Sequence, residues 1–324
     1  MIAGPDLARW LGDPEAQRAS LARSHATAAR LGRTRMLRIL RDALAACDGS
    51  RDAVLAIASD AVMQVAEIEA LVSQMITEAR ADPFFHPLLR PLATEINQGL
   101  LLFDDPLLQL SFGVISVDAL AAKKLEGAAA PASISFTGVT TLVHFVRAGG
   151  ALLSLWEAPP IRAGFVGADS GMAALTARRH MRDGDVLTMD GRRESFVIEH
   201  ADGPIVHVQA VVKAGAAPLS AEYDSRTCRF IAAASTDEAA SRTQMMVTLL
   251  RLLGRTDAAP VFEQALRSPL FYARWHVMRE YLGLDAEAAL PALRAMAGQD
   301  PHPDVRTAAR QTLQAVFEEE PCLA

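Results

Sequence analysis

Between Thr236 and Glu319 the chain repeats itself with a period of 32 residues. Arg242, Arg274 and Arg306 recur in SRTQMMVTLL, ARWHVMREYL and VRTAARQTLQ, and Leu249, Tyr281 and Leu313 stand seven positions after them. A fixed period of this size limits the fold more than composition does. Each unit is too small to bury its own apolar face, so consecutive units must stack. The apolar spacing predicts helices over about 238–253, 258–267, 270–283, 286–297 and 303–318. Their connections are Gly254-Arg255-Thr256-Asp257, the Leu284-Asp285 corner and Gly298-Gln299-Asp300-Pro301.

The last unit, DPHPDVRTAARQTL, resembles the HEAT repeat, in the variant also found in phycobilisome-lyase-type HEAT proteins, through Asp300, Val305, Arg306, Ala309 and Leu313. The resemblance covers about 80 residues. It implies that the Asp and the Arg six residues on form a polar ladder between repeats, a structural role. The earlier units carry Ser268 and Thr236 at the Asp position, so the ladder is expected to be incomplete. It also implies a binding scaffold and confers no chemistry. On the middle helix Trp275, His276, Arg279 and Tyr281 make an aromatic and basic patch. Trp275 and Arg279 are the candidate partner contacts, since Trp, Tyr and Arg are the usual interface anchors, while Trp275 and Tyr281 also suit a core. For His302, in the rigid Pro301-His302-Pro303 corner, the sequence suggests no role.

The first 80 residues or so are helical by pattern. Helices are expected at about 15–31 and 33–46, followed by one long run in which Val54, Ala58, Ala61, Val65, Ile68, Val72, Met75 and Ala79 keep a single seam. That seam is expected to face the preceding helices in an intramolecular bundle. Arg30, Arg33, Arg35, Arg38 and Arg41 read as a solvated basic face.

After Asp82-Pro83 and Pro87 to Pro91 the pattern changes. Gly99–Phe103 and Leu107–Ser116 read as a hairpin, a short helix is expected at about 118–124, and an Ala/Pro loop at 125–133 leads into further strands. SISFTG and TTLVHFVRAGGALLSLWEAP give a hairpin turning at Gly149-Gly150, which suits the positive φ of tight turns. Further strands are expected near 172–176, 185–190, 194–200, 204–213, 219–223 and 227–233. Many short antiparallel strands imply a sandwich, jelly roll or small barrel.

Within this region GDVLTMDGRRESFVIE resembles the second half of a cupin-type barrel. The resemblance implies a possible metal bound by His-x-His, a Glu and a later His, and that pattern is missing. The nearest metal candidates are His144, His180, His200 and Glu199, for a divalent transition metal, with Asp185 a further oxygen donor. In Ile205–Val212 the even positions are apolar, so His207 is expected to point away from the core. Arg178, Arg179, Arg182, Arg192 and Arg193 form a second candidate site. If the Asp190-Gly191 turn folds back on a 178–182 loop, their guanidinium forks suit an anionic ligand, and Asp183, Asp185, Asp190 and Glu194 stand by to neutralise them.

The net charge of −6 argues against a nucleic-acid partner. Three scattered cysteines, Cys47, Cys228 and Cys322, suggest neither a disulfide framework nor a cysteine metal site. No long apolar run suggests a membrane span or a leader, so a soluble cytoplasmic protein is expected. There is no GxSxG elbow, P-loop or strand-borne GxGxxG, and Gly164, Gly167 and Gly171 read as loop glycines.

The expected architecture is a multidomain α+β chain: a helical domain at 1–95, an antiparallel jelly-roll or cupin-like β-domain at 96–234, and HEAT-like repeats at 235–324. The expected function is that of a cytoplasmic ligand-binding or adaptor protein, with a pocket in the β-domain and a protein partner on the helical repeats. The alternative is a metal-dependent cupin-like enzyme of oxygenase or isomerase type.

Overall fold

A computed structural model describes residues 4–126, 133–162 and 170–317. Gly164, Gly167 and Cys322 lie outside the described residues, as does most of the expected 125–133 loop. The chain divides into two compact units, Met1–Ala158 with Met172–Ala216 and Glu222–Arg229, and Pro159–Gly171 with Ala217–Ala221 and Phe230–Ala324.

The first unit begins with α1 (Gly4–Leu11), α2 (Pro14–Gly32), α3 (Arg35–Ala46), α4 (Arg51–Val62) and α5 (Val65–Ala81). Asp13 and Ser50 cap α2 and α4 by accepting main-chain N–H bonds. The long run expected after residue 50 is therefore two helices. The apolar spacing carries on across Met63-Gln64, but the hydrogen-bond ladder stops there. The Val62 carbonyl, free at the end of α4, is bound by His144 Nδ1 at 2.8 Å. Nor does the seam face only helices. Val54, Ala58 and Ala61 on α4 join a core with Leu108, Leu110, Leu142, Val208, Ala210 and Val212 of a β-sheet.

That sheet has the strand order β1-β2-β3-β10-β5-β8, formed by β1 (Pro91–Ala93), β2 (Asn97–Asp104), β3 (Leu108–Ile115), β10 (Ile205–Val212), β5 (Thr140–Arg147) and β8 (Val186–Asp190). The helix α6 (Val117–Glu126) follows β3. A second sheet has β7 (Ala174–His180), β6 (Leu152–Glu157) and β9 (Glu194–His200) in the order β7-β6-β9. Next to β9 runs β4 (Ser133–Phe136), where Ser195 Oγ donates to Ser135 O at 2.6 Å. Apart from β6 and β7, which pair with each other, sequential strands from β3 to β10 alternate between layers, giving 3-10-5-8 opposite 4-9-6-7. This is the jelly-roll order; the ladder partner of β4 is β11 (Leu219–Asp224), and its place beside β9 comes from side-chain and packing contacts.

Its interior is a second core containing Val143, Phe145, Leu153, Met181, Leu187, Met189, Ile198 and Ile205. The turn between β5 and β6 holds Gly149 and Gly150 at φ +57° and +68°, and a Cβ on Gly149 would run into the Gly203 carbonyl oxygen. β11 (Leu219–Asp224) crosses the division between the units.

The second unit holds β12 (Phe230–Ser235) and then α7 (Glu238–Leu252), a 3-10 turn at Thr256–Ala258, α8 (Ala259–Ala265), α9 (Phe271–Leu284), α10 (Ala286–Gln299) and α11 (Pro303–Phe317). These helices match the periodicity closely. Phe262, Val277, Tyr281 and Ala289 fill one layer, and Met278, Leu293, Val305 and Ala309 fill the next. Tyr281 is core, stacked on Phe262 with ring centroids 5.2 Å apart.

Candidate functional sites

Strand β10 decides how the histidines are placed. Its even positions, Val208, Ala210 and Val212, pack against the N-terminal helices, whereas Ile205 lies in the jelly-roll interior. His207 shares the face of Ile205, so it points into the jelly roll and is 4% exposed. The expectation that it points away from a core fails because β10 is covered on both faces. An apolar strand face identifies one buried side and says nothing about the other.

His207 stands opposite Gly113 of β3 on one side and Phe145 of β5 on the other. Its Nδ1 has no hydrogen-bond partner, and neither has the buried Oδ1 of Asn97 at the start of β2. Gly113 lies between these groups. A Cβ built there would come 2.9 Å from Asn97 Oδ1 and 2.9 Å from His207 Cε1. With no side chain at Gly113, the two polar groups close up against its backbone in an otherwise apolar interior. Burial pushes the His207 imidazole down to about 4, against a smaller opposing pull from the Ile205 backbone, so the ring is neutral at pH 7. Gly113→Ala drives a methyl against both groups, and urea unfolding is expected to show a loss of about 1–3 kcal/mol through overpacking.

The proposed metal ligands are not brought together. His144 faces α4, outside the jelly-roll interior, and binds the Val62 carbonyl. His180 and His200 pair with Leu152 from opposite sides, which leaves β6 between them. His200 is exposed, and its Nε2 meets Asp202 Oδ1 at 2.9 Å. Glu199 accepts from Ser154 Oγ. Among the described residues no three His, Cys, Asp or Glu side chains converge as a metal requires. His207 is the sole described histidine facing inward, and the groups nearest it, Gly113, Phe145 and Asn97, supply no carboxylate. The donor set of the interior does not fit a cupin-type metal.

The five arginines are also separated. Arg178 and Arg179 belong to β7, so the expected 178–182 loop is largely a strand, one exposed along its whole length. On an edge strand such charges discourage pairing with another sheet. Arg182 precedes β8 and Arg192 and Arg193 follow it, so the length of that strand keeps the two groups apart. Arg192 forks onto Asp190 at 2.8 and 2.6 Å, and Arg51 meets the same carboxylate at 3.4 Å. The Arg192 hydrogen bonds hold Asp190 below the usual carboxylate range. Arg193 lies 3.6 Å from Glu157, and Arg179 lies 3.4 Å from Asp185.

In the second unit the repeat logic is explicit. Arg274 Nε and Nη2 fork onto Asp300 of the next repeat at 2.8 and 2.7 Å, with side chains 10% and 4% exposed. Arg274 Nη1 also donates to Ser268 O and Pro269 O, and Arg306 Nη1 donates to Asp300 O and Pro301 O. Each Arg thus closes the turn six residues before it. Among the described residues Arg242 takes no such part and pairs with Glu238 on the surface, as the incomplete ladder implied. His302 stacks on Phe271 at 3.8 Å, and its Nδ1 accepts the Asp304 N–H at the start of α11.

Beside this ladder β12, α7 and α9 enclose a cleft of about 520 Å³, walled by Phe230, Tyr272, Trp275, His276 and Arg279. Tyr272 is fixed by bonds between its hydroxyl and Ser235 Oγ (3.1 Å) and Pro218 O (3.2 Å). His276 Nε2 meets Thr248 Oγ1 at 3.1 Å. Trp275 packs partly on the Met278 and Leu293 layer and partly lines the cleft, and Arg279 is exposed at the rim.

A family model of HEAT repeats matches residues 229–314. Among curated proteins none matches this sequence. Solved structures similar to it include a cupin domain from Bordetella pertussis Tohama I, 14% identical, covering 38% of this chain and 99% of that one, with a TM-score of 0.23. A sugar phosphate isomerase from a cupin superfamily of Silicibacter pomeroyi is 12% identical, covering 44% and 78%, with a TM-score of 0.23. An oxalate decarboxylase from Lactobacillus farciminis, in a formate complex, is 11% identical, covering 49% and 37%, with a TM-score of 0.25. The matched residues take in the helices of the second unit, and no helix among the described residues is long and apolar enough to cross a membrane.

Proposed function

We propose that this chain is an adaptor whose HEAT-like unit holds a protein partner in the aromatic cleft beside α9, while the jelly roll holds a small ligand. The three-way division at about 95 and 235 and a cytoplasmic location belong to the same reading. HEAT repeats serve generally as interaction modules. The observation that carries the reading is the cleft itself. Phe230, Tyr272 and Trp275 offer flat apolar area with little rotamer entropy to lose, and Arg279 offers a guanidinium at the edge. A peptide segment with an aromatic or aliphatic anchor and a carboxylate matches that lining. On the jelly-roll side the support is the pair of buried polar atoms without a partner, Asn97 Oδ1 and His207 Nδ1.

The test immobilises the full chain and compares retained partners with those of Trp275→Ala/Arg279→Glu. The expected result is one partner whose retention falls at least about tenfold, the loss of about two modest anchor contacts. Equal retention by the double variant, at unchanged helicity, refutes the cleft as the docking site.

A further inference from the structure

Between the N-terminal helices and the sheet face they cover lies a cavity of about 350 Å³, and every residue that lines it belongs to the first unit. Its floor is Leu31, Leu37, Leu71, Leu102 and Phe103, from α2, α3, α5 and β2, each less than a tenth exposed. That volume falls within the range of small-molecule sites, which are mostly apolar with a few placed polar groups. The charged lining here is Arg41, Asp104 and Asp105.

Leu88 also lines the cavity, and its backbone is unusual. It stands at φ +49°, in the left-handed region, where a bulky side chain is an outlier. Two bonds hold it there: His86 Nδ1 accepts the Leu88 N–H at 3.2 Å, and the His86 N–H donates to Ser24 Oγ of α2 at 3.1 Å. The next residue, Leu89, packs on the core, whereas Leu88 does not and is 42% exposed. Backbone strain of this kind persists only where the surroundings over-determine it, and it gathers at ligand clamps.

The charges point to the end group of the ligand. Asp104 is already engaged by Lys213 Nζ at 2.8 Å and Gln109 Nε2 at 2.9 Å, and Asp105 Oδ1 accepts the Leu107 N–H at 2.9 Å. Arg41 donates from Nη2 to Gly32 O at 2.6 Å and has no carboxylate partner among the described residues. Arg38, one turn before it on α3, has none either. Like charges one turn apart on a helix repel, and an anion held beside them removes the repulsion. An apolar floor with an unpaired guanidinium beside it matches a molecule that carries an aliphatic chain and a carboxylate.

We propose that this cavity binds an amphipathic carboxylic acid of medium chain length, with its chain on the leucine floor and its carboxylate on Arg41. The site is separate from the aromatic cleft and from the jelly-roll interior, and its test depends on neither. Isothermal titration of the full chain with decanoate, below its micellar range, is expected to show saturable one-to-one binding. Octanoate, shorter by two methylenes, should bind about tenfold more weakly. Decylammonium, with the same chain and the opposite charge, should bind at least about tenfold more weakly, and so should decanoate to Arg41→Gln, an exposed position. Ala28→Phe fills the cavity from its half-buried place on α2 and is expected to abolish binding. Leu88→Gly relieves the left-handed backbone, so the thermal midpoint should hold or rise while decanoate weakens by about tenfold.

The absence of saturable binding overturns the proposal. So does decylammonium that binds as tightly as decanoate, or decanoate binding indifferent to both Arg41→Gln and Ala28→Phe. Binding to vesicles of phosphatidylglycerol without binding to free decanoate overturns it as well, since the surface is then a membrane contact.

Discussion

Arg274→Met is expected to cost the HEAT-like unit about 3–5 kcal/mol, the penalty for leaving a buried carboxylate without its partner. The Asp300 side chain is 4% exposed and receives both arms of the Arg274 fork, with His302 beside it donating one main-chain N–H. The same substitution frees the Ser268 and Pro269 carbonyls that Arg274 Nη1 closes. Arg306→Met keeps the ion pair and loses only bonds to Asp300 O and Pro301 O, so its cost should be about 1–2 kcal/mol. Chemical unfolding followed by far-UV signal separates the two. Equal costs would mean that the ladder acts through turn closure and not through charge. Burial opposes ionisation of Asp300, yet the hydrogen bonds from Arg274 and from the His302 N–H leave it below the ordinary carboxylate range. Its contribution is therefore present above the unfolded pKa of Asp and is lost as acid protonates it in the folded state.

The jelly-roll unit is expected to lose about 3 kcal/mol between pH 6.5 and 4 on account of His207 alone. Its imidazole is held down to about 4 in the folded state, against an ordinary value of 6.5. Over that window the unfolded chain binds a proton that the folded chain refuses. Stability is therefore full above pH 6.5 and falls as the pH drops toward 4. Aspartates held low by arginine or lysine, such as Asp190 and Asp104, titrate below the window and do not mask the effect. His207→Leu should flatten the profile between pH 6.5 and 4.5. It should also stabilise the fold at pH 7 by about 1 kcal/mol or more, since it removes a buried ring nitrogen without a partner. A variant whose profile falls as steeply as wild type would show that the titrating group is another one.

The histidines show what the sequence could reveal of the sites. His144 reads as buried from its neighbours Leu142 and Val146, and it is buried. That its ring closes the end of α4 and takes no place in a barrel site depends on Val62, 82 residues away in the chain. His207 was misread for a physical reason. Period-two alternation reports the contrast between two faces, and β10 has helices against one and a jelly-roll interior against the other. The available signal was the seam from Val54 to Ala61, which needed a broad apolar surface to cover it. The arginines near Asp190-Gly191 look like a cluster in the sequence, but the extended strand β8 holds its two ends apart.

By itself the sequence determined the repeat and most of the elements. The 32-residue period, the Asp300 and Arg306 spacing and the Gly149-Gly150 turn depend on contacts within one or two elements, so local periodicity carries them. Tertiary structure alone decided that Arg274 reaches Asp300 in the next repeat, that α4 lies on the β10 sheet, and that Asn97, Gly113 and His207 meet. Asn97 and Gly113 stand on the paired strands β2 and β3, but His207 comes from β10, far along the chain. Which face of each strand turns inward is set by what covers the other, a property of the packed molecule that no single stretch encodes.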